Sequence, residues 1–265
     1  MAAIFRAVKV LINNDIGTTT DIVIPGAFGG ANPKAAIFIH SNTIEGPLDT
    51  SDIAYSYGYT DGTNQACVTS YFDADRTTTV GQRGWSTTYV MAYQSSQANG
   101  IQCEWTFTQW LADGVRITTG ADEIGSRRYA TVILIGGDEV ANVQVGDFAQ
   151  LGSAGTQDIS TGFKPDLIFF GSSGQTTSQG TRASSLNTYN AIAIDDGNLS
   201  QMGSWKYGRD NVGTTDSRLR ISDGFIVNRD DSTEKVTAFN ATSFTLTTTG
   251  TPVGFNEIYL AIGFS

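Results

Sequence analysis

The sequence has few of the residues that build helices, disulfide frameworks or long apolar spans. Its 265 residues include 3 Met, 2 Cys and 1 His, and only 16% are charged. Because no apolar pattern is sustained at a period of 3.6 residues, we expect no long amphipathic helix. Apolar runs such as residues 132–135 are far shorter than a bilayer requires, so we predict no membrane insertion.

The shortage of cysteine and of positive charge excludes two further classes of protein. Cys67 and Cys103 are too few for a disulfide framework. We expect two buried free thiols, with a Cys67–Cys103 bridge as the alternative. The chain carries 16 basic and 26 acidic residues, a net charge of −10, and no dense cluster of Lys and Arg. Since a phosphate backbone needs concentrated positive charge, nucleic acid is not an expected partner.

Motifs for secretion and for cofactor binding are also missing. The first residues lack a basic segment followed by a long apolar stretch, so no signal peptide is expected. Phosphate loops, zinc-ligand spacings and dinucleotide fingerprints do not occur. We therefore predict synthesis in the cytoplasm, no cofactor and no metal centre.

The residues that are abundant favour strands and tight turns. Val, Ile, Phe, Tyr and Thr favour strands, while the 30 Gly, with Asn and Asp, favour turns. Alternating segments of four to eight residues are separated by such turns, which is typical of antiparallel sandwiches. The sequence therefore predicts an all-β fold with one buried face per strand, so that Tyr55, Tyr57 and Tyr59 share a side.

An internal repeat divides the chain into two similar halves. Residues 17–22 and 154–159 share Gly, Thr and Asp-Ile in the same order, and each is followed by a Gly/Phe turn, a proline and a short apolar strand. Further along, residues 55–64 match 191–198, and 129–136 match 258–263. Ordered repeats of this kind decide the architecture. We predict two tandem antiparallel, jelly-roll-like β-sandwich domains related by duplication, at residues 1–138 and 139–265.

The second half resembles a known family of domains. Residues 162–168 read Gly-Phe-Lys-Pro-Asp-Leu-Ile, residues 222–225 read Ser-Asp-Gly-Phe, and apolar strands follow at 239–246 and 258–262. This order is similar to a β-sandwich domain common in structural proteins of tailed bacteriophages, including tail-fibre and particle-surface proteins. The resemblance covers most of residues 140–265 and, more weakly, 5–137. Copy two departs from it at residues 240–243, where the usual Asp-Gly turn is replaced.

The resemblance implies a non-enzymatic virion protein, assembled in the host cytoplasm, that decorates or joins parts of the capsid or tail. Its expected partners are other virion proteins and itself, as a homo-oligomer such as a trimer. The sequence contains neither heptads nor collagen-like repeats, so no fibre stalk is expected. The strand at residues 4–12 is suited to augmenting a neighbour's sheet. The alternative is a tail-associated receptor- or glycan-binding protein that contacts a host-surface glycan. A glycan-degrading enzyme ranks third.

Aromatic side chains are the candidates for stacking on a sugar. Sugars stack on exposed aromatic faces, although sandwich cores also use Trp and Phe. Alternation places Trp105 in the core, whereas Trp85 and Trp110 are expected to be exposed near turns. Trp205 and Tyr207 complete the set of possible ligand-stacking residues.

Residues that could suggest catalysis or a metal site have simpler interpretations. The single histidine, His40, has no Gly-x-Ser-x-Gly elbow to serve and is expected to be a strand-end hydrogen bonder. The carboxylate pairs at residues 73/75, 122/123 and 195/196 could suggest glycoside hydrolysis, but Asp in turns bonds the turn backbone. The Asp-rich turns at 61–64 and 195–198 lack the EF-hand order, so structural turns are favoured over calcium sites.

Overall fold

A computed structural model gives the fold of the chain. It describes residues 2–13, 15–41, 52–73, 80–94, 101–122, 128–175, 183–184, 187–196, 198–209, 217–224, 227–228, 232–252 and 254–265. Within these ranges the protein is all-β, with no helical residue. None of the described segments forms a helix long and apolar enough to cross a membrane. The chain folds into two tandem antiparallel β-sandwich domains related by internal duplication, as the sequence predicts.

The first half of the chain contributes ten of the described strands. They are β1 (Ile4–Ile12), β2 (Thr19–Val23), β3 (Ala35–Ser41), β4 (Asp52–Thr60), β5 (Gln65–Asp73), β6 (Val80–Ser86), β7 (Met91–Gln94), β8 (Ile101–Leu111), β9 (Gly114–Asp122) and β10 (Arg128–Gly136).

The second half contributes the remaining described strands. They are β11 (Val140–Ala149), β12 (Gly155–Ser160), β13 (Leu167–Gln175), β14 (Ala183–Ser184), β15 (Asn187–Asp195), β16 (Gln201–Arg209), β17 (Ser217–Asp223), β18 (Val227–Asn228), β19 (Ser232–Phe239), β20 (Ser243–Gly250) and β21 (Asn256–Phe264). The turn between β10 and β11 contains the 138/139 boundary between the two halves.

The two halves have the same strand order in each of their two sheets. Large sheet one runs β1-β10-β3-β4-β5-β6 and large sheet two runs β11-β21-β13-β15-β16-β17. Small sheet one runs β2-β9-β8-β7 and small sheet two runs β12-β20-β19-β18. Every strand of domain one therefore has a counterpart in domain two. In the reverse direction, the short strand β14 is the described strand of the second half that has no counterpart, and it extends large sheet one by pairing with β6.

Three hydrophobic cores hold the four sheets in a stack. Core one lies between the two sheets of domain one and includes Phe38, Trp105 and Leu134. Core two lies between the sheets of domain two and includes Phe170 and Phe244. The interdomain core joins the outer faces of the two large sheets. Its buried residues are Ala35, Ile37, Tyr57, Tyr59, Ala66, Val68, Trp85, Ile135, Val140, Val145, Ile258, Leu260 and Ile262.

Because of the interdomain core, the central strands of the large sheets are buried on both faces. In β3, Phe38 packs into core one while Ile37 packs into the interdomain core. This differs from the sequence expectation of one buried face per strand. Alternation tells which residues share a face, and Tyr55, Tyr57 and Tyr59 do share the interdomain face as predicted. Alternation alone does not reveal that a second sandwich covers that face.

Candidate functional site

An open cleft of about 530 Å³ lies where the two domains meet. Its lining comes from the β4–β5 turn (residues 61–64), the start of β11 (residues 142–144) and the turn after β12 (residues 160–163). Hydroxyl and amide groups dominate the lining, and Phe163 is its aromatic residue. Such a surface offers hydrogen bonds to a polar ligand rather than an enclosed pocket for an apolar one.

The β4–β5 turn is fixed by the carboxylate of Asp61. Oδ1 accepts hydrogen bonds from the backbone N–H of Thr63 at 2.8 Å and of Asn64 at 2.6 Å. Oδ2 accepts from the side-chain amide of Asn64 at 3.1 Å and from the N–H of Val145 in domain two at 2.8 Å. Asp61 therefore closes its own turn and ties it to β11, which is a structural role.

The corresponding turn of domain two is built in the same way. The Oδ1 atom of Asp196 accepts from the N–H of Asn198 at 2.9 Å and of Ser200 at 3.3 Å. In the described part of the chain, no three His, Cys, Asp or Glu side chains are grouped in a way that could hold a metal ion. The turn interpretation of both Asp-rich segments agrees with these bonds.

The four aromatic candidates do not form one platform. Trp85 is only 7% exposed and packs in the interdomain core, so the prediction that it is exposed is wrong. Domain two covers the face of β6 on which it lies. Trp110 is half-buried against core one, with its ring centroid 5.0 Å from that of Phe107. The side chains of Trp205 and Tyr207 lie outside the described residues.

Trp105 is a core residue, as alternation predicts. It is fully buried, and its indole N–H donates to the backbone oxygen of Asn13 at 3.0 Å. His40 lies beside it in core one, with ring centroids 5.2 Å apart. Neither nitrogen of His40 has a hydrogen-bond partner among the described residues, so the expected strand-end hydrogen bond is wrong. Burial, with the nearby charge of Arg128, lowers the pKa of His40 to about 3 and keeps the ring neutral.

Both cysteines are buried thiols outside any disulfide bond, which agrees with the expected state rather than with a Cys67–Cys103 bridge. Burial, with a smaller contribution from the charge of Glu104, raises the pKa of the Cys67 thiol. A thiol in this environment stays protonated and unreactive.

Of the three carboxylate pairs weighed in the sequence analysis, only Asp195 and Asp196 have described side chains. The side chains at positions 73, 75, 122 and 123 lie outside the described residues. Asp195 is fully buried while Asp196 is exposed, because neighbouring residues of an extended chain point to opposite sides.

A buried carboxyl pair that the sequence analysis did not single out lies inside domain two. Glu234 of β19 and Glu257 of β21 are 0% and 1% exposed, and their carboxyl groups lie close enough to influence each other's protonation. Glu234 also accepts from the side-chain amide of Gln150 at 3.2 Å and the hydroxyl of Thr248 at 3.1 Å. Burial raises the pKa of Glu234, so the pair holds a proton that two exposed glutamates would release.

The strand pattern contains a signal for this pair. Residues 232, 234 and 236 are the inward positions of β19, and a glutamate at the middle one indicates a buried acid that needs a partner. The sequence does not tell that the partner is Glu257, because β19 and β21 belong to different sheets. The pair is enclosed by the sandwich and does not line the cleft.

Like Asp61 and Asp196, Asp113 uses its carboxylate to hold a loop, here the loop of domain one between β2 and β3. It adopts a left-handed conformation with φ of 58°. Its carboxylate accepts from the N–H groups of Phe28 at 2.6 Å, Gly26 at 3.0 Å and Gly30 at 3.1 Å. These three donors lower the pKa of Asp113. The carboxylate closes residues 25–31 over core one.

Comparisons with known proteins give no family for this chain. No protein-family model matches it, and no curated protein matches it. Among solved structures, two of a β-fructofuranosidase from Schwanniomyces occidentalis were found, one complexed with fructosyl-erythritol and one with fructose. They are 11% and 10% identical, with TM-scores of 0.15 and 0.14. The alignments cover 84% and 85% of this chain and 59% of each of those chains. A likeness this weak carries no argument about fold or function.

Proposed function

We propose that this chain is a non-enzymatic structural protein of a tailed-phage particle, where it decorates or joins parts of the capsid or tail. The observation that carries the proposal is the edge strand β1. Phe5 and Leu11 on its outer face are 38% and 40% exposed. The nine-residue edge strand exposes these two apolar side chains with Lys9 between them, and such an edge is suited to adding a strand to a neighbouring protein.

The sequence supports the choice of a phage particle over other assemblies. The Gly-Phe-Lys-Pro-Asp-Leu-Ile order at residues 162–168 is the part of the chain that most resembles phage structural domains. In this proposal the docked protein buries the β1 face against a capsid or tail neighbour. The strongly acidic remainder of the surface stays in solvent, where it limits unspecific contacts.

Co-sedimentation with particles that lack the protein tests this proposal. We expect the purified chain to pellet with the particles at a fixed ratio. The double variant Phe5→Glu/Leu11→Glu places two carboxylates in the apolar contact, and should bind at least about tenfold more weakly. The matched control is Ile16→Glu, because Ile16 is 66% exposed and lies outside β1. Equal binding by the double variant and the control would contradict docking through β1.

The second candidate function is glycan or receptor binding by the tail, which the cleft between the domains favours. Its amide and hydroxyl groups, with Phe163 beside them, are groups that sugars use for hydrogen bonding and stacking. Saturable binding of the purified chain to host envelope polysaccharide would support this candidate. Asn142→Ala and Phe163→Ala should then weaken binding, while Phe5→Glu/Leu11→Glu should leave it unchanged.

A further inference from the structure

His40 is buried in core one without the hydrogen bonds that an imidazole usually makes. Its ring is 0% exposed, and neither Nδ1 nor Nε2 has a hydrogen-bond partner among the described residues. The rings of Trp105 and Tyr93 lie beside it, with centroids 5.2 and 6.3 Å from its own. The indole N–H of Trp105 is already donated to the backbone oxygen of Asn13. The surroundings of His40 therefore suit a neutral ring and offer no acceptor to a charged one.

A positive charge on the neighbouring strand adds to the cost of protonating His40. Ala130 of β10 pairs with His40, and Arg128 lies two residues before Ala130 on the same face, 9% exposed. The guanidinium carbon of Arg128 is 5.6 Å from the ring centroid of Tyr93. Burial and this charge together lower the pKa of His40 to about 3.

The other groups around core one do not compensate a charge on His40. Its other described titratable side chains are Tyr71 of β5, Tyr93 of β7 and Cys103 of β8, all of which are neutral near pH 7. On β4, the residue that pairs with His40 is the uncharged Ser56. The buried carboxylate of Asp113 is held by three backbone N–H groups. The carboxylate of Glu104 acts on the Tyr89 hydroxyl and the Cys67 thiol.

These surroundings make the stability of domain one depend on pH. The unfolded chain binds a proton at the imidazole near the ordinary pKa of 6.5, whereas the folded chain does so only near pH 3. The stabilising contribution is therefore complete above pH 6.5 and is lost as the pH falls below that value. Each pH unit below 6.5 raises the equilibrium constant for opening around His40 by about tenfold. His40 is the single histidine of the chain, so this window belongs to one side chain.

Domain two carries the opposite chemistry at the equivalent positions. The two last strands match at their final glycines, Gly136 and Gly263, so Glu257 is the counterpart of Ala130. Ser172 pairs with Glu257 as His40 pairs with Ala130. Domain two thus replaces a buried base with the buried acid pair of Glu257 and Glu234. Acid keeps that pair protonated and favours the folded state of domain two.

The part of domain one that covers His40 is small sheet one. Trp105 belongs to β8 and Tyr93 to β7, and both strands are in that sheet. Large sheet one is held on its other face by the interdomain core, which includes Ile37 and Ile135. A charge on His40 therefore acts on the contact between the two sheets of domain one and leaves the interdomain core intact.

We propose that mild acid opens domain one selectively, because a protonated His40 ring separates small sheet one from large sheet one. Domain two and the interdomain core stay closed under the same conditions. The opening exposes the apolar face of large sheet one that core one normally covers. This device lies inside domain one and does not depend on the proposed role of β1 as a docking strand.

Cys103 provides a probe of the opening in the full-length chain. Its thiol is 0% exposed in core one, on β8, so dithiodipyridine reaches it only when the sheets separate. The test compares its labelling rate in wild type and His40→Phe from pH 8 to pH 5, with peptide mapping to read it apart from Cys67. The ratio of wild-type rate to variant rate should rise by about thirtyfold over this range. Comparison at each pH cancels the pH dependence of the reagent.

Two further variants make the result specific to His40. His40→Gln also lacks a titrating ring, and should behave like His40→Phe if the larger apolar ring disturbs the fold. Glu234→Gln removes the buried acid of domain two but keeps His40, so its Cys103 labelling should rise in acid as in wild type. Near-native circular dichroism at pH 8 checks that each variant is folded.

Hydrogen exchange of residues 232–250 reports on domain two under the same conditions. We expect their protection in wild type and in His40→Phe to be equal at pH 5. Equal labelling of Cys103 in wild type and both His40 variants at every pH would overturn the inference. Acid labelling of Cys103 that is accompanied by loss of protection at residues 232–250 would also overturn it, because the whole chain would then unfold together.

Discussion

At equivalent places in the two sandwiches, domain one buries Trp105 and domain two buries Glu234. Each residue lies two positions before a bulge, at Phe107/Gln109 in β8 and at Val236/Ala238 in β19, and each pairs with a threonine, Thr119 or Thr248. The His40 ring lies beside Trp105, and the Tyr93 ring lies edge-on to His40 in the same core. Around Glu234 the neighbours are Glu257, Gln150 and Thr248. One backbone plan thus accommodates an aromatic cluster or a hydrogen-bonded carboxyl network.

The duplicated fold therefore depends on its turns and strand order rather than on particular core residues.

The loops before β3 and β13 also use different groups to hold equivalent positions. In domain one, residues 25–31 close around the Asp113 carboxylate. In domain two, the N–H groups of Thr161 and Gly162 bond the backbone oxygen of Thr242 instead, at 2.9 and 3.1 Å. A charged acceptor in one copy is replaced by a peptide carbonyl in the other.

Removal of the Trp105 ring should give the largest change in stability. Trp105→Ala opens a large cavity in core one, and we expect it to lower the free energy of unfolding by about 3–5 kcal/mol. Denaturant titration followed by circular dichroism measures the loss. Trp110→Ala serves as the control, because its half-buried ring should cost clearly less. A loss for Trp105→Ala no larger than for the control would mean that core one does not depend on the cluster.

Removal of the buried charge of Glu234 should change the free energy of unfolding by a smaller amount, and should raise it. Since burial raises the pKa of Glu234 above its ordinary 4.5, the folded protein holds a proton that the unfolded chain releases. Stability therefore falls as pH rises above 4.5 and through the raised pKa. Glu234→Gln keeps the hydrogen-bonding shape without the charge, and should be more stable than wild type by about 1 kcal/mol at pH 8.

Thermal unfolding at several pH values checks this prediction. The gain from Glu234→Gln should shrink as the pH approaches 4.5. Glu139→Gln is the control for removing a carboxylate from the surface, because Glu139 is exposed. A Glu234→Gln protein that is less stable than wild type at pH 8 would indicate that the charged carboxylate stabilises domain two.

The loop at residues 25–31 of domain one should show the smallest effect. Its stability should fall as the pH falls, which is opposite to the effect of Glu234. The pKa of Asp113 is lowered from 3.8 by three backbone donors, so its stabilising contribution is present above that value and is lost as pH falls through the lowered pKa. Asp113→Asn retains the left-handed conformation but weakens the three bonds. Amide hydrogen exchange of residues 26–30 should be faster in this variant at neutral pH, and less sensitive to acid than in wild type. Unchanged exchange would show that the loop does not depend on the carboxylate.

The sequence was sufficient for the fold class, the duplication and the positions of the turns, because each depends on local patterns. The edge strand β1 spans residues 4–12 as predicted, and the turns at Asp61 and Asp113 follow from Asp-Gly pairs. What could not be predicted depends on contacts between distant segments. Trp85 was expected at the surface because no local pattern reveals that domain two packs on β6. Glu234 and Glu257 could not be joined because they come from strands of different sheets.

The central claim is that the chain serves as an assembly protein of a particle surface, and imaging of particles tests it most directly. Purified chain would be added to particles that lack it, and the particles imaged at low and at high salt. The account predicts regular density on the head or tail at fixed occupancy, retained at high salt because burial of Phe5 and Leu11 supplies most of the contact. Bare particles, together with saturable binding of the same chain to host cells, would contradict it and favour the receptor-binding alternative.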